Sequence, residues 1–239
     1  MNKHEAFAKK TQKRYDHTKA PRGMNSGSFY SNCKKYDWGG AKGLKRLIDI
    51  LVAILVLVLL WPLLLAIGLL IKFTNDGPIL FWQTRVGFRG REFLLPKFRS
   101  MVTDAEKLEE CLLSQSDHGE SITFKMKVDP RVTWVGRIIR KTSLDELPQL
   151  WCVLKGDMSL VGPRPPLPRE VAKYTLADHR RLSALPGLTC IWQVSGRGNV
   201  PFEKQVVLDV QYIESQSLWV DIVLLLRTIP AVISCNGAY

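Results

Sequence analysis

The sequence predicts a mostly helical α+β fold, in which one apolar helix lies in a membrane and a small domain lies outside it. Residues 50–71 form an uncharged apolar run of 22 residues, long enough for a membrane helix. Short apolar runs in residues 80–99, broken by glycines, indicate a small β-hairpin. Residues 203–215 have a helical pattern, and residues 218–229, which end at a proline, predict either a core helix or one lying in the membrane interface.

The positive charge of the chain is concentrated near its N-terminus. The 239 residues carry a formal net charge of +12; residues 1–46 hold 12 Lys or Arg against 3 Asp or Glu, and residues 47–239 hold 22 against 19. We therefore predict a basic, disordered tail over residues 1–43, able to attract an anionic membrane surface. A nucleic-acid-binding domain would carry its basic surface on the folded body, so the sequence argues against a nucleic-acid partner.

The cysteines and histidines give no sign of a disulfide framework or a zinc site. The five cysteines are odd in number and scattered, no two stand at CxxC spacing, and the four histidines do not cluster with them. We interpret the cysteines as small buried thiols in a reducing compartment.

The apolar run over residues 50–71 is expected to enter a bilayer. Its 10 Leu, 4 Ile and 3 Val favour insertion by about 5–10 kcal/mol. As a straight helix it would reach about 33 Å, enough to span. Pro62, however, lies in the middle and costs roughly 3 kcal/mol inside a helix, and basic residues flank both ends. The residues alone leave a kinked spanning helix and a hairpin that dips in and returns equally open.

The densest group of chemically versatile side chains lies in residues 137–148. Ser143 and Glu146 have the spacing of a capping box. From spacing alone, helix capping is favoured over a catalytic role. Pro148 would then fall at the fifth helical position, where its missing N–H matters. A helix that begins at Leu144 or Asp145 tolerates Pro148 better and places both carboxylates at its tip.

A catalytic interpretation of the same segment needs a bound phosphate. The tip of a helix suits an anion, and Arg140 would neutralise a phosphate in bidentate fashion. A carboxylate beside a bound diphosphate and a divalent cation can act as a nucleophile, giving an acyl phosphate.

Several longer segments together resemble one known family over roughly residues 45–239. The segments are KRLIDI, the Pro-broken apolar run, NDGPILFWQTRVGFRGREF, KFRSM, DPRVTWVGRIIRKTSLDELPQLWCVLKGDMSLVGPRP, LPGLTCIWQVSGR and the terminal GAY. The segment that begins DPRV is long and specific. On these segments the sequence resembles the bacterial sugar transferase family, the monotopic phosphoglycosyl transferases, and within it the short, single-anchor group.

The resemblance implies a reaction and the residues that perform it. A UDP-sugar and polyprenyl phosphate would give polyprenyl diphosphate sugar and UMP, with Mg²⁺ required, through a covalent phosphosugar on the enzyme. Asp145 would be the nucleophile and Glu146 its dyad partner and a Mg²⁺ ligand. The implied substrate-binding residues are Arg140 for phosphate, the loop Pro163, Arg164 and Pro165 for the nucleotide, and Lys97 and Arg99 near the membrane face.

The resemblance also implies an architecture and a place in the cell. Residues 44–73 would form a re-entrant membrane helix hairpin bent at Pro62, and residues 74–239 a small cytosolic catalytic domain with interfacial helices. The protein would lie at the cytoplasmic face of the bacterial inner membrane, in contact with its lipids, and start an exopolysaccharide or other surface glycan; an oligomer stays open. The sugar stays open, with a lean towards galactose or glucose.

Two other interpretations remain open from the sequence. One is a non-catalytic, membrane-anchored module whose basic tail holds lipid or nucleic acid. The other is a direct glycosyltransferase that releases UDP in place of UMP.

Overall fold

A computed structural model describes residues 41–105, 107, 108, 122, 126, 128–235 and 237. The tail predicted for residues 1–43 lies outside the described residues except for its last three. In chain order the helices are α1 Ala41–Thr74, α2 Trp134–Lys141, α3 Leu150–Lys155, α4 Pro168–Val171, α5 Ile191–Ser195, α6 Phe202–Ser215 and α7 Leu218–Ile233. The strands are β1 Leu80–Val86, β2 Glu92–Phe98, β3 Ser159–Val161 and β4 Gly187–Thr189. The chain is mostly helical with little sheet, as predicted.

Helix α1 is continuous over 34 residues and carries Pro62 inside it. It is the one helix, among the described residues, long and apolar enough to cross a membrane. The re-entrant helix hairpin implied by the resemblance is not seen, because α1 is helical on both sides of Pro62. One stripe of α1 packs on the domain, and the remaining surface leaves large apolar side chains exposed, among them Leu55, Leu59 and Trp61.

Both ends of α1 contact the same domain. Ala53, in the first half of the helix, belongs to the core cluster that contains Leu150 of α3 and Leu160 of β3. Ile67 and Ile71, in the second half, pack with Phe98, Val135 and Ile139 of β2 and α2. The helix therefore lies along the domain and does not leave it at one end.

The predicted hairpin is confirmed as the antiparallel pair β1 and β2. Phe81 pairs with Lys97 and Arg85 pairs with Phe93. Because side chains alternate between the two faces of a strand, Arg85 and Lys97 share one face of the hairpin. This register brings together two cations that lie 12 positions apart in the chain.

A second, parallel pair of short strands, β3 and β4, lies in the core. Gly162 and Gly187 allow the two strands to approach closely, because a Cβ on Gly187 would lie 2.0 Å from the backbone nitrogen of Gly162. The nitrogen of Gly187 in turn donates to the carbonyl oxygen of Pro163 at 2.9 Å. The strand pair thus fixes the start of the loop formed by Pro163, Arg164 and Pro165.

The last two helices combine a buried and an exposed face. The predicted helix over residues 203–215 is confirmed as α6. Helix α7 begins where predicted, but the expected end at Pro230 is wrong, since the helix runs on to Ile233. Its exposed large apolar side chains recur at helical spacing and form a stripe of Trp219, Ile222, Leu226, Ile229 and Ile233.

Candidate active site

The two carboxylates lie in a short 3₁₀ helix, Leu144–Gln149, between α2 and α3. Ser143 takes a left-handed conformation with φ 57° and makes no capping hydrogen bond through its side chain. The capping box is therefore wrong, and the alternative start at Leu144 is confirmed. A 3₁₀ helix tolerates Pro148 in this position, but its six residues are too few to build the α-helical tip on which the phosphate argument rested.

Glu146 is held by two cations. Its Oε1 accepts from Nζ of Lys97 at 3.0 Å and from Nη2 of Arg164 at 2.8 Å, and its Oε2 lies 3.4 Å from Nη1 of Arg164. Burial alone would raise the pKa of Glu146, but the two cations outweigh it and hold that pKa well below its usual range. Glu146 is therefore ionised at any physiological pH.

Asp145 is in the opposite situation. It is 8% exposed, and no hydrogen bond or ion pair to its carboxylate is found among the described residues. Burial, followed by the charge of Glu146, raises the pKa of Asp145 to about 6. At neutral pH the carboxylate is charged, poorly solvated and unengaged, which is the condition of a nucleophile.

The dyad lines a cavity of about 700 Å³, a volume typical of small-molecule sites. Its lining includes more cationic than acidic side chains. The cations are Arg85, Lys97, Arg99, Arg131, Arg140, Arg164, Arg169, Arg181 and Arg197, and the acids are Asp129, Asp145, Glu146 and Glu170. Leu60 of α1 and Leu225 and Val232 of α7 add an apolar side. The cavity is suited to an anionic ligand with an apolar portion.

The other residues chosen from the sequence lie at different parts of this cavity. Arg140, at the end of α2, lines it. Pro165 lines it too, while Pro163 does not and acts through its backbone contact to β4. Arg99 lines the cavity with its Nε donating to the carbonyl oxygen of Pro78 at 2.8 Å. Lys97, which the resemblance places with Arg99 near the membrane face, contacts Glu146 of the dyad.

Arg85 is a further residue of the site, one that the resemblance does not point to. It lines the cavity, whereas Arg89 and Arg91 of the same hairpin are exposed. Strand alternation combined with the hairpin register would have found Arg85.

The site offers limited ligands for a divalent cation. No group of three or more His, Cys, Asp or Glu side chains comes together within the part of the chain that the structure describes. Mg²⁺ commonly takes one or two carboxylates and completes its shell with water and substrate phosphates. The less engaged Oε2 of Glu146, 3.4 Å from Nη1 of Arg164, fits that requirement.

An enzyme acting on phosphate-bearing molecules at an apolar surface would need this combination of a free carboxylate, surrounding cations and an apolar wall. The model of the bacterial sugar transferase family matches residues 40–235. The chain belongs to that family, so the family predicted from the motifs is confirmed.

Individual relatives extend the comparison. The galactosyl transferase CpsE of Streptococcus agalactiae serotype III (strain NEM316) is 48% identical over 196 residues, covering 81% of this chain and 43% of the relative. The undecaprenyl-phosphate galactose phosphotransferase of Salmonella typhimurium is 46% identical over 200 residues, covering 82% and 42%. The exopolysaccharide production protein ExoY of Sinorhizobium fredii is 42% identical over 198 residues, covering 82% and 88%. The chain thus spans less than half the length of the first two and most of the third.

Proposed function

We propose that this protein transfers a hexose 1-phosphate from a UDP-sugar to undecaprenyl phosphate, releasing UMP, as the first step in building an exopolysaccharide or other surface glycan. The observation that carries the proposal is the unengaged carboxylate of Asp145 in a cation-rich cavity that has an apolar side. Relatives support the substrate class, since one is named a UDP-galactose-lipid carrier transferase and another a UDP-glucose:undecaprenyl-phosphate glucose-1-phosphate transferase.

The reaction proceeds in two displacements at one phosphorus. An oxygen of Asp145 attacks the phosphorus that bears the sugar, the bond from that phosphorus to the bridging oxygen breaks, and UMP leaves with the electron pair. An oxygen of undecaprenyl phosphate then attacks the same phosphorus. The bond to Asp145 breaks and the free carboxylate returns, so the enzyme is unchanged after a full turnover.

The neighbouring side chains make the first attack feasible. Two anions must approach each other, and Lys97 and Arg164 offset their charge while Glu146 holds both cations in place. Burial keeps the carboxylate of Asp145 poorly hydrated and raises its pKa to about 6. Because that pKa is still below neutral pH, the carboxylate is ionised there. Mg²⁺, held by Glu146, would further screen the negative charge of the substrate when bound.

We also propose that α1 enters the membrane from the cytoplasmic side and returns to it, with a bend at Pro62. Support comes from the contacts at its two ends, since Ala53 and Ile71 both pack on the one domain. A helix that crossed the bilayer would carry its ends to opposite faces. The exposed stripe of α7, from Trp219 to Ile233, suits an interfacial position beside it.

Product analysis tests the proposed reaction. The full chain in detergent would receive radiolabelled UDP-galactose or UDP-glucose, undecaprenyl phosphate and Mg²⁺. UMP release with labelled lipid is expected, whereas UDP release would indicate direct glycosyl transfer. Incubation with donor alone should add one hexose phosphate to the protein mass, and a peptide carrying it should contain Asp145.

Substitutions of two aspartates test whether Asp145 is the nucleophile. Asp145→Asn should lower turnover by about 10³-fold or more and abolish the adduct, while Asp104→Asn, at an exposed position, should behave as wild type. Turnover near the wild-type rate in Asp145→Asn would refute the nucleophile. Normal glycan production in cells carrying Asp145→Ala would favour a non-catalytic module.

Protease access to tags at residues 1 and 239 tests the topology, since accessibility on opposite membrane faces would exclude a re-entrant helix.

A further inference from the structure

The guanidinium of Arg85 lies in the candidate active site and is only partly engaged. Its Nε and Nη2 donate to Oε1 of Gln83 at 3.1 and 2.6 Å, and its Nη1 donates to the carbonyl oxygen of Pro165 at 3.0 Å. A guanidinium has five N–H groups, so these contacts leave two without a partner among the described residues. Arg85 lines the same cavity as Asp145 and Glu146.

The charge of Arg85 has no carboxylate in contact with it among the described residues. Two other arginines of this fold, Arg131 and Arg181, each form an ion pair with an aspartate. Burial, and then the charge of Arg164, lower the pKa of Arg85 to about 10, so the group is still charged at neutral pH. A poorly solvated cation with no carboxylate in contact is unfavourable, and an anionic ligand would relieve that cost.

The cavity around the dyad carries an excess of positive charge. Nine Lys or Arg side chains line it against four Asp or Glu, and of these acids Glu170 and Glu146 act on Arg85 without forming an ion pair with it. A nucleoside diphosphate sugar, with two ionised phosphates, would offset part of that excess.

The orientation of Arg85 is fixed before any ligand binds. Gln83, two residues earlier on the same strand face, accepts two N–H groups on one edge of the guanidinium. The nitrogen of Val86 donates to the carbonyl oxygen of Pro166 at 2.9 Å, so the end of β1 and the loop that carries Arg164 form one unit. Binding therefore requires little ordering of this side chain.

We propose that Arg85 binds a phosphate of the nucleotide, in the donor and in the released nucleoside monophosphate, through its two open N–H groups. The inference rests on the proposed function. Arg85 would also offset the charge that develops on the departing nucleotide oxygen when the phosphorus–oxygen bond breaks.

Nucleotide binding by the full chain in detergent tests this role. Calorimetry with UMP should show a roughly 10- to 100-fold loss of affinity in Arg85→Gln, the scale expected for charge-assisted hydrogen bonds. Arg85→Lys, which keeps the charge but loses the planar fork, should fall between wild type and Arg85→Gln. Arg91→Gln, at an exposed position of the same hairpin, should bind UMP as wild type does.

A second probe separates phosphate contact from a structural role. Uridine, which has no phosphate, should bind with the same affinity to wild type and to Arg85→Gln or, if that variant does not fold, to Arg85→Lys. Equal losses for uridine and UMP, or no loss for UMP, would overturn the proposal. Absence of UMP binding by the wild-type chain would instead count against the proposed function itself, and so the two failures are distinguishable.

Discussion

Lys45, near the start of α1, forms an ion pair of 2.9 Å with Asp221 in the first turn of α7. Lys45 also contacts Asp49 at 2.6 Å, and Asp49 accepts a hydrogen bond from Ser159 of β3. Tyr212 of α6 completes the group by donating to Asp221 at 2.8 Å. This buried polar network joins the apolar helix to the strand that leads into the Pro163, Arg164 and Pro165 loop.

Removal of Lys45 should be strongly destabilising. Lys45→Ala leaves Asp49 and Asp221 buried without their cation, and the loss of one partner of a buried ion pair costs about 3–5 kcal/mol. Lys72→Ala, at the exposed far end of the same helix, should change the free energy of unfolding by less than about 0.5 kcal/mol. Thermal unfolding in detergent measures both, and equal midpoints for the two variants would show that the network contributes little.

Asp145 should reduce the stability of the protein at neutral pH. Its pKa is raised to about 6, above about 3.9 in an unfolded chain. Between these values the folded state holds more protons, so the contribution of this group to the free energy of unfolding falls as pH rises through that window and stays low above it. Asp145→Asn should therefore be more stable than wild type at pH 7.5, on the order of 1–3 kcal/mol.

Unfolding measured at two pH values checks this prediction. The advantage of Asp145→Asn should be present at pH 7.5 and should shrink towards zero as the pH falls to about 4 and below, where the wild-type carboxyl becomes protonated in the unfolded state as well. An Asn variant that is less stable than wild type at pH 7.5 would mean that the carboxylate is well accommodated, contrary to its environment in the structure.

The raised pKa of Asp145 also predicts how kcat/KM depends on pH on the acid side. If ionised Asp145 is the nucleophile, kcat/KM should fall about tenfold per pH unit below about pH 6, the value to which its pKa is raised. Glu146 should not contribute a second step in this range, because its pKa lies well below the usual value. A kcat/KM that stays constant down to pH 4.5, with the protein still folded, would contradict the assignment.

The resemblance predicted the dyad and named Lys97 and Arg164 as substrate-binding residues, but not their contacts with Glu146. Asp145 and Glu146 are adjacent, so a local motif reveals them, and a local clash at Pro148 even selects where the helix begins. Lys97 reaches Glu146 across 49 positions and Arg164 across 18, and such contacts depend on the hairpin register and on the packing of β3 against β4. No local rule contains that information.

The end of α7 shows how tertiary packing overrides a local rule. A proline removes one backbone hydrogen bond and disfavours the interior of an isolated helix, which is why Pro230 was expected to end the helix. In the fold Thr228, just before Pro230, is fixed by a 2.8 Å hydrogen bond to Thr189 of β4. With the helix anchored there, the turn to Ile233 continues at the cost of one hydrogen bond.

The close contact between β3 and β4 should make Gly187 intolerant of any side chain. A Cβ at this position would lie 2.0 Å from the nitrogen of Gly162 and 2.5 Å from the carbonyl carbon of Val161, and neither backbone atom can move without separating the strands. Gly187→Ala should lower the free energy of unfolding by about 1–3 kcal/mol, as overpacking does. It should also reduce activity, because the nitrogen of Gly187 holds Pro163, next to Arg164.

Gly43→Ala is the matched control, since a Cβ there meets nothing within 4 Å and alanine favours a helix by up to about 1 kcal/mol. Unfolding midpoints and UMP release would be measured for both variants. Wild-type values in Gly187→Ala would show that the two strands can separate without disturbing the loop, and the assigned link between the core and Arg164 would then be wrong.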